Sequence, residues 1–257
     1  MAASKKERLD KLIAAQTALS RKDVHKLLSR GQISVNGVVV RNFDSRIDWE
    51  TDLVTVEGQP LALQKYSYLM MNKPRGVVCA TKDLALPTVL DFVPDELCRS
   101  GLFPAGRLDK ETTGFVLLTN DGAFGHRILA PKSHLPKRYF VQLDKPVPCE
   151  LVSAFAAGVK LPPEKQERRQ MEKSPEGRDR SICLPAQLEL LDDICTARVT
   201  LHQGMYHQVR RMFAVFGLEV VALHREQIGG LRLDPMLQPG QCRIITSEEL
   251  TQLKMEE

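Results

Sequence analysis

The sequence predicts an α+β protein made of a small N-terminal unit followed by a larger mixed domain. Three observations predict this. Two stretches near the start carry helical apolar spacing and lead into a tight Asn-Gly turn between β-branched runs. From residue 68 onward, short apolar runs of strand length alternate with shorter helical patterns. A composition of 43% hydrophobic and 26% charged residues in 257 is that of an ordinary globular chain long enough to bury a sizeable core.

In the first unit, Leu9, Leu12 and Ile13 sit at helical spacing. Ser20 suits the N-cap of a second helix in which Val24, Leu27 and Leu28 repeat the pattern, and Gly31 ends it. Ile33 to Val35, Asn36-Gly37 and Val38 to Val40 read as a hairpin closed by a type I′ turn. On a helical wheel, Arg21, Lys22, Lys26 and Arg30 fall largely outside the face of Val24, Leu27 and Leu28, so one side packs and the other can meet phosphate. From Trp49 to Lys65 the pattern loosens, with a turn at Glu57-Gly58-Gln59-Pro60. The joint is expected within 58–66, giving domains of 1–60 and 61–257.

In the second domain, Tyr68 to Asn72, Phe115 to Thr119, Tyr139 to Leu143, Ala197 to Leu201 and Glu219 to His224 read as strands. Val209, Met212, Phe213 and Phe216 recur at helical spacing and stop at Gly217, which predicts a helix with its apolar face in the core and Arg210 and Arg211 at the edge. Leu161 to Gly177 is rich in Pro, Glu, Lys, Arg and Gln without periodicity, so 161–180 is expected to be a flexible surface insertion.

The formal net charge of +4 is mild, and it is concentrated at the front. Residues 1–48 hold ten Lys or Arg, among them Arg8, against five acids. The six cysteines show neither paired spacing nor a neighbouring His pattern, which predicts reduced packing thiols. No apolar run approaches the roughly 20 residues of a membrane helix, and the start lacks the apolar core of a signal peptide, so a cytoplasmic protein is expected.

The chemistry centres on Gly106-Arg107-Leu108-Asp109-Lys110-Glu111-Thr112-Thr113-Gly114, a glycine-bounded loop running into an apolar strand. A carboxylate held there is a nucleophile or acid–base candidate. Two further motifs stand with it: Lys73-Pro74-Arg75-Gly76, a turn whose exposed cations suit backbone phosphate, and Tyr206-His207-Gln208-Val209-Arg210-Arg211-Met212. Together the three resemble the signature of the pseudouridine synthases, in particular the branch that acts on small-subunit ribosomal RNA. Residues 6–50 likewise look like an S4-type RNA-binding domain.

The resemblance implies an S4-type domain followed by a synthase domain with a mixed, mostly antiparallel sheet crossed by a central cleft. It implies Asp109 as the essential carboxylate, Arg210 as its guanidinium partner and Tyr139 as the ring that stacks on a flipped uracil, with Leu223 as the pocket floor; Arg107, two residues before Asp109, has the reach to enter that pocket and grip a phosphate or the flipped nucleotide's neighbour. Lys137, two residues before Tyr139, belongs with the RNA contacts, alongside Arg8, Arg21, Lys22, Lys26, Arg30, Lys73 and Arg75. His207 is expected to orient by hydrogen bonding rather than to catalyse. The implied partner is 16S rRNA or a small-subunit assembly intermediate, met by a monomer.

The loop lacks a Gly-Lys-Ser/Thr ending, no G-x-G-x-x-G follows a strand, and the histidines show no zinc-enzyme spacing, so neither metal nor organic cofactor is expected. Rival readings are a large-subunit rRNA synthase, a non-catalytic ribosome-assembly factor, and a glycosidic hydrolase. The last would need a second acid, for which Glu111 at i+2 is expected to face solvent instead.

Overall fold

In the computed structural model the described residues are 6–17, 19–49, 51–61, 63, 66–130, 135–162 and 182–253. The N-terminal unit opens with β1 (Lys6–Arg8), α1 (Leu9–Gln16) and α2 (Arg21–Ser29). The Ser20 hydroxyl accepts the Asp23 N–H, which is the expected cap. Gly31 leaves α2 at φ +72, and the Gln32 N–H reaches back to the Leu27 carbonyl. The hairpin of β2 (Ile33–Val35) and β3 (Val38–Val39) closes through Asn36 at φ 51 and Gly37 at φ 81, as a type I′ turn requires.

The stretch read as loose is more ordered than its composition suggests. Just before it β4 (Arg46–Asp48) pairs with β1, and within it β5 (Val54–Val56) with β6 (Gln59–Leu61) forms a second hairpin through Glu57 and Gly58, both at positive φ. Leu61 and Leu63 pack on the N-terminal core of Leu9, Ile13, Val24, Leu28 and Ile33, so this unit extends past residue 60. The strands are three residues long, too short for alternation to show in sequence.

The larger domain is built on one mixed sheet. Its strands are β7 (Tyr68–Lys73), β8 (Phe103–Pro104), β9 (Thr113–Thr119), β10 (Lys137–Leu143), β11 (Gln187–Leu190), β12 (Thr196–Leu201), β13 (Val220–Ile228), β14 (Leu231–Arg232) and β15 (Cys242–Ile244). The order β11-β12-β10-β13-β9-β7-β15 is antiparallel except where β13 lies parallel to β9. Around it run α3 (Gly122–Leu129), α4 (Glu150–Ala157), α5 (Gln208–Ala214) and α6 (Ser247–Gln252).

Both faces of the sheet are covered, and β9 shows how. Val116 and Leu118 enter one core with Met71, Val141, Leu223 and the α5 residues Val209, Met212 and Phe213, whereas Phe115 and Leu117 enter a second with Met70, Phe124 and Ile228. α5 ends before Phe216, which is 39% exposed and lies against the Phe155 ring instead of completing the buried stripe. β13 runs four residues beyond the predicted His224, because a central strand can carry charged side chains when its neighbours satisfy them. Of the expected insertion, Leu161 is buried in the first core and Arg211 donates to the Pro162 carbonyl, while 163–181 lie outside the described residues. The cysteines are unpaired; Cys79 and Cys183 are buried, but Cys98 and Cys149 are exposed rather than packed.

Candidate active site

The loop between β8 and β9 carries Asp109, and buried groups fix it from below. Leu108 is buried and donates its N–H to Cys79 Sγ at 3.3 Å. The Thr112 N–H closes the turn on the Asp109 carbonyl at 3.0 Å. At the end of the loop Gly114, at φ +100, sits opposite Arg225 in the parallel ladder; a Cβ there would lie 2.4 Å from the Arg225 carbonyl oxygen. Only glycine lets β9 and β13 approach this closely.

Lys73 is corrected by the structure. It is fully buried, not an exposed phosphate contact, and its Nζ donates to the carbonyls of Thr112 at 2.7 Å, Pro74 at 3.0 Å and Lys110 at 3.1 Å. The ammonium thus ties the Asp109 loop to the end of β7, and burial lowers its pKa. The turn composition hides this, because the acceptors are backbone oxygens that come together only when the loop folds over it. Arg75 is exposed as expected, but it pairs with Glu111, whose carboxyl that hydrogen bond holds below the ordinary range.

The Arg210 partnership is also redirected. Among the described residues the basic side chain that meets the Asp109 carboxylate is His207, with Nε2 3.4 Å from Oδ1. Arg210 donates instead to the Val220 carbonyl at 2.7 Å, clamping α5 to the start of β13. His207 occupies the N-cap of α5 in the left-handed region, φ 47 and ψ 34. A non-glycine residue held there carries a backbone cost of about 1–3 kcal/mol and is typical of functional turns. Sequence spacing placed His207 in the motif but could not show a turn that throws the imidazole toward the carboxylate.

On the sheet, Tyr139 faces Arg225 and Val141 faces Leu223 across the β10–β13 pair, so Tyr139, Leu223 and Arg225 share one face. Tyr139 and Leu223 are buried in the same core as Leu108, while Arg107 is exposed on the loop. Arg225, which the sequence did not single out, is 3% exposed; its Nε donates to the Phe115 carbonyl at 2.7 Å and its buried Nη2 has no partner. Lys137 is half-buried, donates to the Leu135 carbonyl at 3.0 Å, and is brought down to about 8 by burial and the charge of Arg225. Tyr139 and Leu223 thus give the site an apolar surface with the buried Arg225 beside it, and the Asp109 carboxylate stands partly open to solvent.

Arg21, Lys22, Lys26 and Arg30 are together on the exposed side of α2, with Lys26 also bonded to Asp23. Arg8 is committed to the acids Asp10 and Asp44. Asp10 is buried, and although burial opposes ionisation, its bonds from Arg8 and His25 hold it at about 2.

The sequence profile of the RNA pseudouridylate synthase family matches residues 67–215. The chain is 43% identical to ribosomal small subunit pseudouridine synthase A of Escherichia coli K12, over 95% of this chain and 98% of that protein. It is 40% identical to YtzG of Bacillus subtilis strain 168, an uncharacterised RNA pseudouridine synthase, over 95% and 96%. A crystal structure of a pseudouridylate synthase superposes with a TM-score of 0.63 at 38% identity, covering 96% of this chain and 99% of the other. A glycine-bounded aspartate loop on a mixed sheet thus agrees with relatedness along nearly the whole sequence, and the chain belongs to the RNA pseudouridylate synthase family, a family of isomerases.

Proposed function

We propose that this enzyme converts a uridine of 16S rRNA to pseudouridine, in free RNA or a small-subunit assembly intermediate, as a cytoplasmic monomer with no cofactor. The observation that carries the reading is the 43% identity, across 95% of the chain, to an enzyme named for the ribosomal small subunit. The reaction breaks the bond between uracil N1 and ribose C1′, turns the base and rejoins it through C5, expelling the C5 hydrogen. The proton lost from C5 to water is balanced by one taken up at N1, so the substrate supplies every heavy atom of the product.

In this reading Asp109 is the catalytic carboxylate, attacking C1′ or C6 or deprotonating the sugar. The target nucleotide is flipped from its stack. Tyr139 and Leu223 then receive the uracil on the apolar floor, while Arg107 reaches the flipped nucleotide or its neighbour. Arg210 acts by holding α5 against β13, which places His207 at the carboxylate. Residues 1–63 act as an S4-type RNA-binding domain, with Arg21, Lys22, Lys26 and Arg30 toward phosphate.

Tritium release from 5-tritiated uridine in small-subunit rRNA tests this. Wild type is expected to release about one equivalent per RNA and Asp109→Asn none, with RNA affinity within a few-fold. Release from large-subunit rRNA alone would move the target; an Asp109→Asn enzyme that still turns over would remove Asp109 from the chemistry.

A further inference from the structure

We propose that Tyr206 and His207 form a stacking platform for the nucleobase next to the uridine held at Asp109. The inference rests on the enzyme acting on RNA with its target nucleotide flipped out. The two rings are parallel, with centroids 3.9 Å apart and planes inclined by 15°. His207 Nε2 lies 3.4 Å from the Asp109 carboxylate, so the stack begins at the reacting group and leads away from it.

Tyr206 is 59% exposed, and its hydroxyl has no hydrogen-bond partner among the described residues. Tyr68 is the opposite case: its ring packs edge-on against Phe124 and its hydroxyl donates to Asp121. Packing alone therefore gives no account of a tyrosine at position 206.

The backbone beneath the open ring is nevertheless fixed. The Met205 N–H donates to Gln208 Oε1 at 2.9 Å, and Gln208 is buried. The Arg211 guanidinium donates to the Tyr206 carbonyl at 3.0 Å and to the Pro162 carbonyl at 2.7 Å. His207 is held in the left-handed region by α5, whose Val209, Met212 and Phe213 are in the core. A flat aromatic face, rigidly mounted and left open, is what an unpaired base requires, because stacking is the sequence-tolerant contact to single-stranded RNA and a preorganised ring gives up little entropy on binding.

The test uses an RNA that the full-length wild-type enzyme converts, carrying 2-aminopurine on either side of the modified uridine. Binding to wild type is expected to quench 2-aminopurine on one side. Tyr206→Ala is expected to abolish that quenching and raise KM for RNA about tenfold, with a much smaller effect on kcat at saturating RNA. Tyr206→Trp and Tyr206→Phe are expected to restore both affinity and quenching, and Tyr206→Leu neither. A Tyr206→Ala enzyme that binds and quenches like wild type overturns the proposal, as does a Tyr206→Leu enzyme that restores affinity. Because wild type converts the same RNA, a failure of the platform is separated from a wrong choice of rRNA, which shows instead as no tritium release from small-subunit RNA.

Discussion

At the scale of single residues, two cations of similar appearance in sequence have opposite fates. Arg75 lies in solvent beside Glu111, while Lys73, two positions earlier, is sealed under the Asp109 loop by three carbonyls. A buried ammonium is tolerable only when its donors are satisfied, and removing it leaves carbonyl oxygens without a charged donor. Lys73→Met is therefore expected to cost about 2–4 kcal/mol in denaturant unfolding. It should also lower kcat more than tenfold, because the Asp109 loop loses its tie to β7. An enzyme with wild-type kcat would show that the loop holds its shape without the ammonium. Asp109 was legible from its loop, whereas Arg225 was not: inside a strand-like run nothing marks an arginine as 3% exposed.

At the scale of elements, the parallel contact between β9 and β13 sets the site, because it brings the loop before β9 over the strand that carries Leu223 and Arg225. That contact depends on Gly114. Gly114→Ala would force a methyl to 2.4 Å from the Arg225 carbonyl oxygen at φ +100, and a loss of about 3 kcal/mol or more is expected in thermal or denaturant unfolding. Gly122→Ala is the control: nothing lies within 4 Å of its added Cβ at the start of α3, so stability should hold or rise slightly. Equal effects of the two changes would mean that close approach is not what Gly114 provides. Five strands of the large sheet, β7, β9, β10, β12 and β13, could be read from apolar runs because both faces are buried; the short β8, β11, β14 and β15, and the three-residue strands after Trp49, could not, since pairing defines them more than composition does.

Across the whole molecule, the exposed cations of α2 lie on a unit with its own small core, apart from the sheet that carries Asp109. Such a surface supplies non-specific phosphate affinity, which weakens as salt rises because bound counterions are released. Replacing Arg21, Lys22, Lys26 and Arg30 together with glutamine is expected to weaken RNA binding and make the plot of log affinity against log salt shallower, by about 0.7 for each single-strand phosphate that is no longer neutralised. The four are exposed, so the fold should tolerate the change. An unchanged slope would place the phosphate grip elsewhere, with Arg107 on the Asp109 loop the next residue to replace.

The sequence by itself determined the α+β class, the capped helix pair and the Asn36-Gly37 hairpin, because caps, turns and apolar periodicity are local and depend on residues a few positions apart. It also determined the family and the candidate carboxylate, since the motifs around Asp109 and Arg210 are contiguous. Only the tertiary structure decided which charges are buried and which groups meet. Lys73 finds carbonyls up to 39 positions away, Asp109 meets His207 from a helix nearly a hundred residues later, and Arg210 turns instead to β13. Those meetings follow from chain crossings that set dielectric and distance, and neither quantity is carried by residue type or spacing.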